Sequence, residues 1–350
     1  MYHDYSRQKG NDYIVDLLEE RYIVKKIQIN ELKISDIQKY VLSLKESVKH
    51  WYYLHNPTLA IYDDQIKLLL DKLYRLNYGA FTPLLMSIFS RDDKYNITEV
   101  CNLLKLMEKY IFVIFRISQR RSNTGDSEFY GYARKYFQKA LSIENIIGTA
   151  DPVNDKFSGI NWWYASYIDI KQFKIYLAEK FKNQDGYYSW SGLSYFLFEY
   201  ELSLKQQSRN SEIMIHWQAY NEAKNGHRSI EHVMPQALVE QCWKESFSQF
   251  DTKQIKNLCN TIGNLTPLSV SKNSALQNYC FEIKKNGKTD EDMVGYSNGS
   301  YAEREISKEP QWTINEIKQR GIKLLKFMAD HWEIEELKNP DLQENLLFLP

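Results

Sequence analysis

Residues 229–285 contain the segments SIEHVMPQ (229–236), IGNLTPLSVSKN (262–273) and SALQNYCFEIKK (274–285). The β-branched run from Ser229 to Met234 predicts a strand that ends at Pro235. A second short run, Ile262 to Leu268, predicts another strand. From Lys272 onward apolar residues recur at spacings of three and four, which predicts a helix that ends near Gly287. Strand, loop, strand and helix form a small unit that can hold one metal ion between its parts.

Four polar side chains in this unit suit one kind of chemistry. Glu231 offers a hard oxygen ligand of the kind that Mg²⁺ prefers, and His232 titrates near neutrality, so it can take a proton from water. Asn264 and Asn273 add amide oxygens without adding charge. This set suits the hydrolysis of a phosphodiester with one metal ion, because that reaction depends on in-line attack and charge stabilisation more than on covalent chemistry.

Three short motifs carry a resemblance to a known group of nucleases. EHVMPQ at 231–236, GNLT at 263–266 and KNSALQN at 272–278 resemble the ββα-metal nucleases, also called the HNH or His-Me finger group. Within that group they resemble the C-terminal nuclease domain of GmrSD-type, modification-dependent (type IV) restriction enzymes. Relatives of that type end with a Trp and then a helix bearing Arg, which here correspond to Trp312 and Arg320.

The resemblance implies a role for each matching position. His232 would be the general base, Glu231 and Asn273 would hold Mg²⁺ or Mn²⁺, and Asn264 would brace the loop that aims His232. The nine-residue step from Asn264 to Asn273 also resembles the HNH domain of the RNA-guided CRISPR nucleases. Those domains have Asp where this chain has Glu231, whose side chain is longer by one methylene group.

Other interpretations of the same residues stay open. A lone Glu-His pair is usually a solvated strand end, and an isolated Gly-Asn-Leu is usually a turn, but their order, spacing and flanking Pro-Gln favour the nuclease. Our leading hypothesis is a metal-dependent DNA endonuclease of a bacterial restriction or anti-phage system. The alternative is a catalytically inactive HNH-fold helical interaction subunit that binds DNA or a partner protein. RNA as the substrate is a third option.

Length and helical periodicity predict the domain organisation. A chain of 350 residues suggests two domains. We expect a mainly α protein with a small α+β unit: a helical domain at 1–210, an HNH-like nuclease domain at 211–335 and a tail at 336–350. The polar segment 203–211 is the expected boundary. In the helical half, Asn96 with Glu99 three residues later resembles a capping box at the start of a helix.

Charge gives only local indications of nucleic-acid binding. The chain has 45 basic and 45 acidic residues, so its net charge carries no global signal. Residues 115–140 are basic with interleaved tyrosines and include Arg120 and Arg121, which makes them candidates for phosphate contacts. Lys272, Lys284 and Lys285 form a second candidate, on or beside the catalytic helix. The alternative for both groups is a solvated helix face.

Cysteine usage and hydropathy bear on the cellular location. The four cysteines form no Cys-x-x-Cys pair, so we expect no structural zinc of the kind that many HNH proteins carry. Their usage is typical of a reducing cytoplasm. No apolar signal core opens the chain and no apolar run is long enough for a membrane span, so the expected location is cytoplasmic.

The motif that marks the N-terminal domain of GmrSD-type enzymes is missing. In such proteins the nuclease half works with an N-terminal nucleotide-dependent domain marked by Asp-Gly-Gln-Gln-Arg, and this chain has neither that motif nor a phosphate loop. We therefore expect a C-terminal fragment or a separate subunit of a larger defence enzyme. The expected partners are double-stranded DNA, including modified phage DNA, and a nucleotide-dependent domain or subunit.

Overall fold

Helices dominate the protein. The computed structural model describes residues 14–77, 79–91, 95–208, 212–213, 215–217 and 230–350. Its strands are two or three residues long, so the expectation of a mainly helical protein is confirmed. Ser229, the first residue of the first predicted strand, lies outside the described residues, and so do residues 209–211 at the expected domain boundary.

The described residues form two compact units. One holds the chain up to Ile111 together with Arg121–Ser166, and the other holds Phe112–Arg120 together with Tyr167–Pro350. The predicted division at 203–211 remains a prediction. Nowhere in the described ranges is there a helix with the length and apolarity that a bilayer crossing requires.

The first unit is built from amphipathic helices. Asn96 accepts hydrogen bonds from the backbone N–H groups of Thr98 and Glu99, and so caps the helix that the sequence predicts there. The described helices and strands are α1 (Ile14–Arg21), α2 (Val24–Gln28), α3 (Ile34–His55), α4 (Asp64–Leu76), α5 (Thr82–Phe89), α6 (Ile97–Tyr110), α7 (Asp126–Phe137), α8 (Ile143–Ile147), β1 (Ala150–Asp151), β2 (Lys156–Phe157) and α9 (Gly159–Tyr167), whose last residue belongs to the second unit.

The second unit contains all the residues that the sequence assigns to catalysis and metal binding. Its elements are α10 (Ile170–Lys182), α11 (Leu193–Gln207), β3 (Ile230–His232), α12 (Gln241–Ser246), α13 (Thr252–Asn260), β4 (Leu265–Pro267), α14 (Val270–Leu276), α15 (Phe281–Asn286), β5 (Gly287–Lys288), β6 (Met293–Val294), α16 (Tyr301–Ile306), α17 (Ile314–His331) and α18 (Pro340–Leu346).

The strands β3 and β4 form an antiparallel pair in the second unit. Ile230 lies opposite Pro267, Glu231 opposite Thr266 and His232 opposite Leu265. Apolar side chains from the segments that flank these strands in sequence are buried together in one core. This core includes Val233, Met234, Trp243, Phe247, Leu258, Leu268, Leu276, Phe281, Tyr296, Trp312 and Ile317. Burial of so much apolar surface around two very short strands supplies the stability that their few hydrogen bonds cannot.

The prediction of one continuous helix from Lys272 to Gly287 is wrong about its continuity. The chain forms two helices, α14 and α15, separated by a turn at which Gln277 has a φ of 37°. The indole N–H of Trp243 donates to the backbone oxygens of Asn278 and Tyr279 in that turn. This contact, made from another part of the chain, overrides the helical periodicity. The predicted end is confirmed, because α15 stops at Gly287, whose φ is 80°.

The structure also corrects our interpretation of the cysteines. Cys242 at the start of α12 and Cys280 just before α15 form a disulfide between positions 38 residues apart in sequence. We did not predict this bond, because the cysteine usage is typical of a reducing cytoplasm. Cys101 and Cys259 are free thiols and buried. The disulfide and the Trp243 bonds tie the same two segments together, so they fix the start of α15 against α12.

Candidate active site

Glu231 and His232 are neighbours in β3, but their side chains have separate sets of hydrogen-bonding and ring-contact partners. Successive side chains in a strand point to opposite faces, and the partners agree with that rule. The side chain of Glu231 contacts residues that follow β4 in the chain, whereas the imidazole of His232 contacts residues that precede β4. Both side chains are buried.

Glu231 is held in a buried ion pair. Its Oε1 accepts a hydrogen bond from Lys284 Nζ at 2.6 Å and another from the Tyr296 hydroxyl at 2.8 Å. Lys284 has no exposed surface and also donates to the backbone oxygen of His232 at 3.1 Å. Burial raises the pKa of the Glu231 carboxyl and lowers the pKa of the Lys284 amine, and the opposite charge of the partner counteracts each shift.

His232 is held as a neutral imidazole. Its Nε2 lies 2.9 Å from Asn260 Oδ1, and the ring centroid of Tyr188 lies 4.7 Å from that of the imidazole. Burial lowers the pKa of His232 to about 4, although the bond to Asn260 acts in the other direction. The ring is therefore unprotonated at neutral pH, which is the form that can accept a proton.

Asn264 lies in the turn before β4 and ties it to the residues after His232. Its Oδ1 accepts from the Met234 N–H at 2.8 Å and from the Trp312 indole N–H at 3.0 Å. Its Nδ2 donates to the backbone oxygens of Met234 and Cys259, at 2.9 and 3.0 Å. The side chain is fully buried. This geometry fits a bracing side chain, and none of these four hydrogen bonds goes to the imidazole.

Asn264→Ala is expected to lower the free energy of unfolding by about 2–6 kcal/mol. The substitution leaves two buried donors without a partner, the Met234 N–H and the Trp312 indole N–H, and each costs about 1–3 kcal/mol. Urea unfolding measures the change. Asn345→Ala, which removes an exposed amide of a surface helix, is the matched control and should leave the midpoint unchanged. Equal midpoints for the two variants would contradict the bracing role.

Arg320 and Trp312, which the sequence singles out near the C-terminal end, both support the turn before β4. Arg320 Nη1 donates to the backbone oxygens of Gly263 and Leu265, at 2.9 and 2.8 Å. A Cβ on Gly263 would lie 2.0 Å from the backbone oxygen of Ile317 in α17, so only glycine allows this approach. Helix α17 thus holds the loop that carries Asn264.

Asn273 lies on α14 and is half-buried. Among the described residues its side chain makes no hydrogen bond, and none joins it to Glu231 or His232. Lys272, beside it, is engaged in an ion pair with Glu303 and donates to the backbone oxygen of Gly295 at 2.8 Å. The structure therefore brings Glu231 together with Lys284, and leaves Asn273 with an uncommitted amide.

The remaining cations expected to contact nucleic acid differ in their surroundings. Lys284 is buried against Glu231 instead of lying on a positive face, because α15 turns this side chain into the core. Lys285 donates to the backbone oxygen of Glu309 at 2.9 Å. Arg120 donates to Asp169 and to the backbone oxygen of Tyr167, both at 3.1 Å. Arg121 is exposed.

Four side chains around the site had no role in our sequence analysis. Asn260, Tyr188, Gln236 and Tyr296 all contact Glu231 or His232. Gln236 ends the motif EHVMPQ, and Asn260 lies four residues before Asn264. Their closeness in sequence to predicted site residues could therefore have indicated that both lie near the site. Tyr188 and Tyr296 are distant along the chain and carry no local signal.

In the part of the chain that the structure describes, no three His, Cys, Asp or Glu side chains gather as a metal site would require. Two oxygen atoms near Glu231 are nevertheless uncommitted. Both hydrogen bonds of the Glu231 carboxylate go to Oε1, so its Oε2 accepts none from the described residues. The Thr266 hydroxyl, directly opposite in β4, is buried and has no hydrogen-bonding partner in the same part of the chain. The chemistry of these atoms is that of hard oxygen ligands.

Comparison with known proteins identifies the family. The family described as GmrSD restriction endonucleases, C-terminal domain, matches residues 138–327. This range is more than half of the chain and includes β3, β4, Asn264, Asn273 and Arg320. No curated protein and no solved structure matches the chain. The chain therefore belongs to the family of the GmrSD restriction endonucleases, through their C-terminal domain.

Proposed function

We propose that the chain is a metal-dependent DNA endonuclease of the HNH type, which acts in a restriction or anti-phage system with His232 as its general base. The observation that carries the proposal is the neutral, oriented imidazole of His232 within the segment that matches the restriction endonuclease family. A neutral imidazole can take a proton from the water that attacks a phosphodiester.

The chain's own residues divide the work of such a reaction. His232 accepts the proton of the attacking water, and Asn264 holds the backbone at Met234, so the strand end that carries the imidazole stays in place. Lys284 provides a counter-charge for Glu231 and fastens the backbone oxygen of His232. These contacts pre-organise the site before substrate arrives, which lowers the cost of reaching the transition state.

The uncommitted Oε2 of Glu231 and the unpartnered hydroxyl of Thr266 opposite it support a Mg²⁺ or Mn²⁺ site in the part of the chain that the structure describes. We propose that Glu231, through Oε2, and Asn273, through its amide oxygen, would hold the ion. When bound, the ion supplies Lewis-acid stabilisation of the phosphate and of the leaving oxygen. A site with so few protein ligands suits Mg²⁺, which usually keeps several waters and binds one or two carboxylates together with substrate phosphates.

The surface cations support a limited set of DNA contacts. Arg121 is exposed and available to a phosphate. Lys272, Lys285 and Arg120 each hold a protein partner, so a phosphate contact from any of them would replace or share an existing bond. Lys284 is better assigned to Glu231 than to DNA, because its amine is wholly buried.

A second candidate function has one observation in its favour. Glu231 is already neutralised by Lys284 and hydrogen-bonded by Tyr296, and His232 is only 8% exposed. A site whose buried charge is already balanced without a ligand is compatible with an inactive HNH fold that binds DNA or a partner protein. The nucleotide-dependent domain implied by the GmrSD resemblance would be such a partner.

A plasmid assay tests the proposal. The purified chain is incubated with supercoiled DNA and Mg²⁺ or Mn²⁺, beside a sample with chelator and a sample of the His232→Ala variant. Nicking that needs the metal and disappears in the variant is the expected result. A labelled RNA duplex of the same sequence, cut faster than the DNA, would reassign the substrate. Absence of cutting on both nucleic acids, with and without the nucleotide-dependent domain, would favour the interaction subunit.

A further inference from the structure

Asn260 is the hydrogen-bonding partner of the candidate general base. It is the last residue of α13, it is buried, and its Oδ1 lies 2.9 Å from His232 Nε2. Its Nδ2 donates to the backbone oxygen of Gln184 at 2.8 Å. The amide thus bridges the imidazole to a segment of the chain that precedes the strand pair by more than 40 residues.

The bond to Gln184 decides which way the Asn260 amide faces. A backbone oxygen can only accept, so the NH₂ group of Asn260 must face Gln184 and the amide oxygen must face His232. An amide oxygen also can only accept. The His232 Nε2 must therefore carry the proton, and Nδ1 is left as the nitrogen with the free electron pair.

Gln236 fits this tautomer but does not select it, because its side chain lies almost equally far from both ring nitrogens. Its side-chain nitrogen lies 3.4 Å from Nδ1 and 3.3 Å from Nε2 of His232. As a donor it can bond only to an unprotonated ring nitrogen, which here is Nδ1. In the other tautomer the unprotonated Nε2 would face the amide oxygen of Asn260, which sets two acceptors against each other. Gln236 is exposed, so a water or a phosphate can take its place beside Nδ1.

The segment 184–188 is shaped to hold the Asn260 amide. Gly186 has a φ of 48°, and a Cβ there would lie 2.8 Å from Asn260 Cβ and 2.7 Å from its backbone oxygen. The close approach therefore requires glycine. Two residues later, Tyr188 places its ring beside the imidazole. The segment 184–188 thus orients the Asn260 amide through Gln184 and packs Tyr188 against the His232 ring.

We propose that Asn260 is a positioning residue that fixes His232 as the Nε2–H tautomer, so that Nδ1 is the nitrogen that accepts the proton of the attacking water. The inference rests on the proposed role of His232 as general base. Asn260 touches neither water nor phosphate in this scheme and acts only through the imidazole. Loss of its oxygen would free the ring to adopt both tautomers and to rotate.

Nitrogen NMR of the full chain with ¹⁵N-labelled histidine tests the tautomer without any cleavage. His232 is assigned as the signal missing from the His232→Gln variant. At slightly alkaline pH, wild type is expected to show a protonated Nε2 and an unprotonated Nδ1. Asn260→Asp keeps an acceptor and should keep this pattern, whereas Asn260→Leu should give a mixture of tautomers. Asn257→Leu, one turn earlier in α13, is the matched control and should match wild type.

Two results would overturn the inference: a protonated Nδ1 in wild type, or an unchanged Nε2–H pattern in Asn260→Leu. If Asn260→Leu does not fold, the wild-type and Asn260→Asp spectra still decide. In the cleavage assay, Asn260→Leu should lower kcat by about 10²-fold with little change in KM. The NMR result stands even if no cleavage occurs, so failure of the proposed function and failure of this inference are distinguishable.

Discussion

His232→Ala is expected to lower the rate of DNA cleavage by about 10²–10⁴-fold, because general-base catalysis contributes a factor of that size. Burial lowers the pKa of the wild-type imidazole to about 4, so at neutral pH the ring is already in the form that accepts a proton. The methyl group of alanine cannot replace it. The measurement is single-turnover nicking of supercoiled plasmid with saturating Mg²⁺, which reports the chemical step.

The alanine variant leaves a gap beside Tyr188 and Asn260, which contact the ring in wild type. Imidazole added to the assay is expected to fill that gap and restore part of the lost rate. The matched control is His216→Ala, which removes an exposed histidine and should cut like wild type. Equal nicking by His232→Ala and wild type would remove His232 from the mechanism and point to a contaminating nuclease.

The pH dependence of the same rate has a definite sign. The base must be unprotonated, so the rate should stay level from about pH 8 to about pH 5 and fall as the pH drops through the lowered pKa of His232, about 4. A histidine in water would lose activity near pH 6.5. A midpoint near that value would show that the ring is solvated in the working enzyme.

Local signals in the sequence were sufficient to predict the strand pair. The β-branched residues Ile230 and Val233 with the stop at Pro235 mark the first strand, and the short run from Ile262 to Leu268 contains the second. The structure places β3 and β4 within these predicted runs. Strand and stop signals depend on neighbouring residues, which is why sequence alone reveals them.

Contacts across the chain explain what the sequence could not reveal. The helical repeat through Tyr279 is genuine, but the Trp243 indole takes the backbone oxygens on which an unbroken helix would depend. Lys284 lies on α15, after the break, and this lysine, which we expected beside a phosphate, is buried against Glu231, 53 residues away in sequence. Asn260 and Tyr188 reach His232 in the same non-local way.

Lys284→Met is expected to lower the free energy of unfolding by about 3–5 kcal/mol. The substitution keeps an unbranched apolar side chain but removes the ammonium group, so the Glu231 carboxylate stays buried with only the Tyr296 hydroxyl to offset its charge. Breaking one side of a buried pair costs more than removing both sides, because an uncompensated charge remains. Urea unfolding in chelator gives the value for the metal-free protein.

The double variant Glu231→Gln with Lys284→Met separates the charge effect from loss of packing. It removes both charges while preserving size and the possibility of a bond to Tyr296, so its stability should lie within about 1 kcal/mol of wild type. Lys318→Met, which breaks an exposed pair with Glu344 at 3.1 Å, should leave the unfolding midpoint unchanged. A double variant as unstable as Lys284→Met would show that packing dominates, with little contribution from the charge pair.

Mg²⁺ extends the same experiment to the proposed metal site. In Lys284→Met the Glu231 carboxylate lacks its counter-charge, so a divalent ion bound there would restore part of the lost electrostatic compensation. A ligand that binds only the folded state stabilises it. We therefore expect Mg²⁺ to raise the unfolding midpoint of Lys284→Met and to have no such effect on the double variant, which lacks the carboxylate. Equal shifts in both variants would place the ion elsewhere and remove Glu231 from the metal site.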